Sequence, residues 1–84
     1  MHSQRFDRPV SVTRHARERM TQRVISEDEL SALLEHGDLR YKDDMRLWAT
    51  RHFEGRRDNL ICAALVIEDH VVVKTVMHHF AWSE

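Results

Sequence analysis

The sequence predicts an α+β fold in which two N-terminal helices pack on one face of a curved antiparallel sheet of three to four strands. Two amphipathic segments with helix start signals lie within the first 37 residues, and the spacing of apolar residues changes after Gly37. Long apolar runs then follow, "LICAALVI" and "VVV", as strands would. The length suits a single domain, residues 1–84, with residues 1–8 frayed.

The two helices are indicated by their capping residues. Thr13 is a suitable N-cap for the first helix, which contains "RHARERMTQR". Ser26 followed by Glu29 is a capping box, and it predicts a second helix from about Glu27 to His36. Gly37 stands where that helix should end.

The strands are indicated by apolar runs and by an alternation of residues between two faces after Gly37. "PVSV" before the first helix suggests only a short extended piece, because Pro9 lacks an N–H donor. "DLRYKDD" and "MRLWATRHF" follow as strands, and "EGRRDN" is a polar turn. "LICAALVI" is apolar throughout and predicts a central strand covered on both faces, and "VVVKTVMHHF" is the last strand.

The charge is uneven along the chain although the formal net charge is only −1. Residues 1–25 hold six arginines against Asp7 and Glu18, which gives +4, and residues 26–84 hold seven basic against twelve acidic residues, which gives −5. The basic part faces either phosphates or the acidic remainder of the chain. No apolar run is long enough to span a bilayer, and the single Cys62 cannot form an intrachain disulfide. These features predict a cytoplasmic protein without a membrane partner.

A basic row is expected on the first helix. His15, Arg19 and Arg23 are spaced i, i+4 and i+8, so they stack along one side of it, next to the buried stripe of Ala16 and Met20. A guanidinium fits a phosphate, and a histidine exchanges a proton near neutral pH. Such a row suits phosphodiester binding with proton transfer during attack by a 2′-hydroxyl. The alternative is structural: His15 packs or caps the helix, and the arginines pair with acids of the same chain.

The last strand offers a second basic group. Lys74, Val76, His78 and Phe80 would share one strand face, which suits a phosphate or a nucleic acid, unless that face is simply solvated. We predict that His15, Arg19 and Arg23 share a cleft with Lys74 or His78, and these five residues are the candidate catalytic set.

Other side chains carry weaker signals. Trp48 shares a strand face with Thr50 and His52, where it either belongs to the core or stacks on a base. The seven histidines include no H-x-x-x-H pair with a third ligand nearby, and the chain has no C-x-x-C motif, so neither a metal nor a cofactor is expected. A zinc site joining His52 and His78 across strands is the minor alternative. Cys62 is expected to be an inert buried thiol.

The segment "RHARERMTQRVISEDELSALLEHG" resembles a small bacterial family known as domain of unknown function 4258. The family hallmark is H-A-x-x-R-M-x-x-R-x-I, followed by a short acidic helix that ends in glycine. The matching residues here are His15, Ala16, Arg19, Met20, Arg23, Ile25 and Gly37. The glycine that usually precedes the isoleucine is Val24 in this chain. The resemblance covers about residues 12–78.

The resemblance implies a fold and a function. The family has been grouped with RelE-like and barnase-like ribonuclease toxins, which have helices followed by a curved antiparallel sheet. It therefore implies a small toxin-like protein, a metal-independent endoribonuclease with RNA as substrate and an antitoxin-like protein as partner. His15, Arg19 and Arg23 are the residues that carry over. A net charge of −1 disfavours tight binding to phosphates. Two alternatives to an enzyme therefore stay open. The chain is either a non-catalytic module that binds nucleic acid or protein, or a protein in which the basic row of the first helix has only a structural role. The sequence leaves both enzymatic activity and oligomeric state undecided.

Overall fold

The computed structural model describes residues 1–82, which form six strands and two helices. In chain order the elements are β1 (His2–Ser3), β2 (Arg8–Val12), α1 (Arg14–Gln22), α2 (Glu27–His36), β3 (Asp38–Tyr41), β4 (Arg46–Arg51), β5 (Ile61–Ile67) and β6 (Val71–Met77). The strands form one mixed sheet in the order β1-β2-β6-β5-β4-β3. All neighbouring strands are antiparallel except β2 and β6, which are parallel.

The predicted fold class is wrong in its sheet and in the place of its helices. Two strands precede α1, and the sheet has six strands of mixed direction rather than three to four antiparallel ones. The cause is the pairing of Val10–Val12 with Val71–Val73, about sixty residues further along the chain. Such a pairing leaves no local pattern in the sequence, since each strand alone resembles a short extended piece.

Residues 1–8, which we expected to be frayed, form β1 and the turn into β2. Glu35 on α2 holds this segment, because its carboxylate accepts hydrogen bonds from the backbone N–H groups of Gln4, at 2.7 Å, and Arg5, at 2.9 Å. The Arg5 guanidinium donates in turn to the carbonyl of Gly37, at 2.7 Å, at the end of α2. Burial raises the pKa of Glu35, but the hydrogen bonds from Arg5, Gln4 and Ser3 outweigh it and lower the pKa overall.

The predicted helix boundaries are confirmed. The Thr13 hydroxyl accepts from the backbone N–H of Ala16, at 3.1 Å, and both hydrogen bonds of the Ser26–Glu29 capping box are present. α2 ends at Gly37, where a side chain would collide with the Leu33 carbonyl and come within 2.8 Å of the Thr50 carbonyl. Neither helix within residues 1–82 is long and apolar enough to cross a bilayer.

The core lies between the helices and one face of the sheet. Its buried members come from α1, α2, β4, β5 and β6, and the largest include Leu30, Leu33, Leu34, Leu47, Ile61, Leu65, Val71, Val73 and Val76. Cys62 is buried as expected, and burial raises the pKa of its thiol to about 12. A thiol that stays protonated at neutral pH is a poor nucleophile.

A bulge in β6 changes which residues share a face. Val73 pairs with Leu65 and Thr75 pairs with Ala64, so Lys74 is an extra residue between them. Val76 is fully buried, whereas Lys74 is exposed. The single face that we expected for Lys74, Val76 and His78 is therefore wrong, because the bulge reverses the alternation after Val73.

Candidate active site

The basic row of α1 runs beside β6. At its start, the Thr13 N–H donates to the Val73 carbonyl at 3.1 Å, and the Thr13 hydroxyl donates to the Lys74 carbonyl at 3.2 Å. From His15 to Arg23 the helix rises about 12 Å. Four strand residues after Lys74 span about 13 Å. The predicted residues are therefore spread along a surface with two ends rather than gathered at one point.

The first end holds His15 and Lys74. Both side chains are exposed, and within residues 1–82 neither forms a hydrogen bond or an ion pair through its side chain. His15 lies in the first turn of α1, two residues after Thr13, which contacts the backbone of Lys74. This end is an accessible cationic surface without a fixed geometry.

The middle of the row and its second end hold the two arginines, both half-buried. Arg19 donates from Nη1 to Oε1 of Gln22 at 2.7 Å. Nε and Nη1 of Arg23 are shielded from solvent, and they have no hydrogen-bond partner among the described residues. Within residues 1–82 neither arginine pairs with a carboxylate, so the structural alternative of internal ion pairs is not found for them. A shielded N–H without an acceptor is costly, and an anion would satisfy it.

Arg56, in the loop between β4 and β5, organises this second end. Its guanidinium donates from Nε and Nη2 to both carboxylate oxygens of Asp58, each at 2.8 Å, which is a bidentate pair. It also donates to Oε2 of Glu29, at 2.9 Å, and to the backbone carbonyls of Arg23, at 2.8 Å, and Val24, at 3.0 Å. All five N–H groups of the guanidinium are thereby used, and they join the β4–β5 loop to the turn between the helices.

The electrostatics of this cluster follow from the Arg56 guanidinium. Its hydrogen bonds to Asp58 hold the pKa of that carboxyl well below its usual range, against the opposing effect of burial. Burial raises the pKa of Glu29, but the hydrogen bonds from Ser26 and Arg56 outweigh it and lower the pKa. The acids in turn raise the pKa of Arg56. Both carboxylates are therefore ionised at neutral pH.

His78 joins this cluster from just beyond the end of β6. Its Nδ1 lies 3.1 Å from Oδ2 of Asp58. Because an ionised carboxylate only accepts hydrogen bonds, this contact requires the proton on Nδ1, and in the neutral ring Nε2 is then an acceptor. The backbone N–H of His79 donates to the Asp58 carbonyl at 2.6 Å, which holds the two segments together. His78 therefore has the orientation that a general base requires.

The structure thus joins Arg23 and His78 through Arg56 and Asp58, whereas His15 and Lys74 lie toward the other end of the row. Arg56, Asp58 and Glu29 are site residues that the sequence analysis missed. Asp58 and His78 are twenty positions apart, and nothing in the sequence "EGRRDN" marks its first arginine, Arg56, or its aspartate. The only available signal was that Glu29 caps α2, which left one carboxylate oxygen for another partner.

The described residues bring three metal-ligating atoms together in one place. Glu68, Asp69 and His70, in the turn between β5 and β6, have ligand atoms within 4.8 Å of one another. Both acids are exposed, and exposed acidic turns are common without a metal. The pair suggested by the sequence, His52 with His78, does not form such a group in the described part of the chain.

Fold and site together define a small α+β protein whose first helix carries a cationic row beside a mixed sheet. The chain belongs to the family described as "Domain of unknown function (DUF4258)", whose model matches residues 12–78. No curated protein and no solved structure matches the chain. The family assignment confirms the resemblance of the helical segment. The departure at Val24 has a structural counterpart, because Val24 adopts φ 53°, a left-handed conformation that favours glycine.

Proposed function

We propose that this chain is a small toxin-like protein that cleaves RNA as a metal-independent endoribonuclease. The observation that carries the proposal is the orientation of His78 by the ionised Asp58, next to the helix end at which Arg23 has N–H groups without an acceptor among the described residues. A histidine fixed by a carboxylate supplies proton transfer, and guanidinium groups stabilise the charge of a phosphoryl transition state. The grouping of the family with the RelE-like and barnase-like ribonuclease toxins supports the same class of reaction.

The proposed reaction is an internal transesterification. Nε2 of His78 takes the proton of a ribose 2′-hydroxyl, and the 2′-oxygen forms a bond to the adjacent phosphorus. The bond from phosphorus to the 5′-oxygen breaks, and that oxygen takes a proton from solvent, because His15 lies at the other end of the row, beyond hydrogen-bond reach. The products are a 2′,3′-cyclic phosphate and a free 5′-hydroxyl. Arg19 and Arg23 bind the non-bridging oxygens, for which the Arg23 side chain must rotate, and Lys74 contacts a flanking phosphate.

A second candidate is a non-catalytic module that binds nucleic acid or an antitoxin-like protein. The observation in its favour is that Arg56, Asp58 and Glu29 satisfy one another, as a purely structural cluster also would. The net charge of −1 also favours binding through a small number of phosphate contacts over strong non-specific binding to nucleic acid. The two functions are distinguished by measuring cleavage and binding of RNA separately: the non-catalytic module binds RNA or protein without cleaving RNA.

The proposal is tested with purified protein and total RNA in EDTA, with analysis of the new ends. We expect 2′,3′-cyclic phosphate and 5′-hydroxyl ends. Arg19→Lys and Arg23→Lys should each cleave at least about tenfold more slowly, because lysine lacks the planar fork. Arg14→Lys on the same helix is the matched control and should cleave normally, since the Arg14 side chain is 94% exposed and pairs with Glu18.

Each part of the proposal has an outcome that contradicts it. If RNA stays intact at high concentrations of the wild-type protein, the binding-module function replaces the proposal. If RNA is cut but Arg19→Lys, Arg23→Lys and His15→Ala all cut as well as the wild type, cleavage does not depend on the basic row. Expression of the wild-type chain should also slow bacterial growth, and an unchanged growth rate argues against a toxin.

A further inference from the structure

The sheet face that points away from the helices carries an aromatic cluster. On β4, Leu47 and Ala49 are buried against the helices, so Trp48 between them points to the opposite face. Its cross-strand partner is Arg40 on β3. The chain after β6 returns to this region, and the Phe80 N–H donates to the Leu60 carbonyl at 3.0 Å.

The tail completes the cluster with two further rings. The guanidinium of Arg40 lies over the Trp82 ring, 4.1 Å from its centroid, as in a cation–π contact. The rings of Phe80 and Trp82 meet edge to face with their centroids 5.0 Å apart. These contacts hold the tail against the sheet by ring and guanidinium surfaces, which are the surfaces on which planar ligands stack.

A cavity of about 320 Å³ lies among these groups, lined by Arg40, Trp48, Phe80, Ala81 and Trp82. Its volume is near the lower end of the range of small-ligand sites. The lining offers three aromatic rings and one cation, and within residues 1–82 it contains no carboxylate. A ligand that gains from all of these is a planar ring attached to a negatively charged group.

We propose that this cavity binds a base of single-stranded RNA by stacking, while Arg40 contacts the adjacent phosphate. The choice of RNA rests on the proposed function, whereas the stacking chemistry follows from the lining. Aromatic platforms accept any base, because every base has a π face. Phe80 is two residues after His78, so at most about 7 Å of backbone separates the cavity from the proposed catalytic histidine. One strand of RNA that passes around the end of β6, from the helix side to the opposite sheet face, would contact both.

The chain has an intrinsic reporter for this site. Its only two tryptophans are Trp48 and Trp82, and both line the cavity, so tryptophan fluorescence reports on it directly. The probes are a 2′-O-methyl RNA hexamer, which lacks the attacking hydroxyl, adenosine monophosphate, and ribose 5-phosphate, which has no base. We expect saturable quenching by the hexamer and the nucleotide and none by ribose 5-phosphate.

Variants test the assignment by a second measurement, the binding of a fluorescein-labelled hexamer. Trp82→Ala and Arg40→Ala should each bind it about tenfold more weakly, the usual order for loss of a stacking contact. Tyr41→Ala is the matched control, since Tyr41 is an exposed aromatic residue on the same strand as Arg40 but outside the cavity lining, and it should bind normally.

The outcomes separate this inference from the proposed function. If no base-containing probe gives saturable quenching, or if ribose 5-phosphate quenches equally, the subsite is wrong. If RNA cleavage depends on His78 but Trp82→Ala has an unchanged KM, the proposed catalysis is retained and the proposed base-binding subsite is rejected. If the hexamer quenches the tryptophan fluorescence but RNA is never cleaved, the base-binding subsite is retained and the proposed catalysis is rejected. Quenching by peptides alone assigns the cavity to a protein partner and overturns the inference.

Discussion

The chain contains two aspartate–histidine pairs that differ in their surroundings. Nδ1 of His78 lies 3.1 Å from Asp58, and Nδ1 of His70 lies 2.7 Å from Asp69. Both histidine side chains are 34% exposed, so their access to solvent is equal. The carboxylates are not alike, because Asp58 is 21% exposed and Asp69 is 89% exposed. The shorter contact belongs to the less protected pair.

The difference between the pairs arises from a third residue. Arg56 grips both oxygens of Asp58 and so fixes the position of that carboxylate relative to His78. Asp69 is the immediate neighbour of His70 in an exposed turn, and the structure gives it no arginine partner within residues 1–82. A short contact alone therefore does not make a site. What distinguishes the His78 pair is a fixed carboxylate and a cationic helix beside it.

The largest effect on stability is expected when the Arg56 clamp is removed, that is, the contacts of the Arg56 guanidinium with Asp58, Glu29 and the two backbone carbonyls. Arg56→Ala leaves Asp58 and Glu29 without their counter-ion and two backbone carbonyls without a donor, so we expect a loss of roughly 3 kcal/mol in the free energy of unfolding. The matched control is Arg46→Ala, which breaks an exposed arginine–aspartate pair with Asp43 and should lower the free energy of unfolding much less, because solvent screens that pair. Urea denaturation measures both. Equal losses would mean that Arg56 is no more than a surface ion pair.

Acid should weaken the same clamp. Because the folded-state pKa of Asp58 is depressed, its contribution is complete above the unfolded value of about 3.9 and is lost as the pH falls toward the folded value. At pH 7, Asp58→Asn should lower the free energy of unfolding by about 2 kcal/mol. The difference from the wild type should stay constant down to about pH 5 and shrink below about pH 4. A difference that does not vary with pH contradicts the ion pair as its origin.

A smaller, stabilising effect is expected at Val24, whose carbonyl accepts from Arg56. Val24 is 80% exposed and has φ 53°, so Val24→Gly relieves roughly 1–2 kcal/mol of strain and loses little apolar burial. The entropy of glycine in the unfolded chain offsets part of this, which leaves a gain of about 0.5–1 kcal/mol. Gly55→Ala is the opposite change at a positive φ, 85°, and should destabilise the protein. Thermal melts in which Val24→Gly lowers the Tm would contradict the strain.

Features that depend on neighbouring residues were predictable from the sequence. The caps at Thr13 and Ser26 and the end of α2 at Gly37 follow from local hydrogen bonding, and each agrees with the structure. The strands between Gly37 and Met77 were also predicted, because their apolar runs are bounded by polar turns. The half-buried positions of Arg19 and Arg23 follow from their place beside the stripe of α1.

Features that depend on distant residues were not predictable. The parallel pairing of β2 with β6 and the docking of residues 1–8 on Glu35 join segments about thirty to sixty residues apart. The sequence did not reveal the bulge at Lys74, because three successive valines are compatible with either order of inward-facing and outward-facing residues along the strand. Asp58 and Arg56 lay in a stretch that reads as an ordinary polar turn, and only their meeting with His78 in three dimensions distinguishes them.

The most direct test of the central claim compares His78→Ala with His70→Ala in RNA cleavage. The two histidines are equally exposed and each contacts an aspartate, so they differ mainly in the clamp and in the neighbouring arginines. We predict that His78→Ala lowers kcat by about 10² to 10⁴, the usual range for loss of a general base, with the fold intact by circular dichroism. His70→Ala should cleave RNA at the wild-type rate. Equal rates for the two variants would contradict the assignment of His78 as the base.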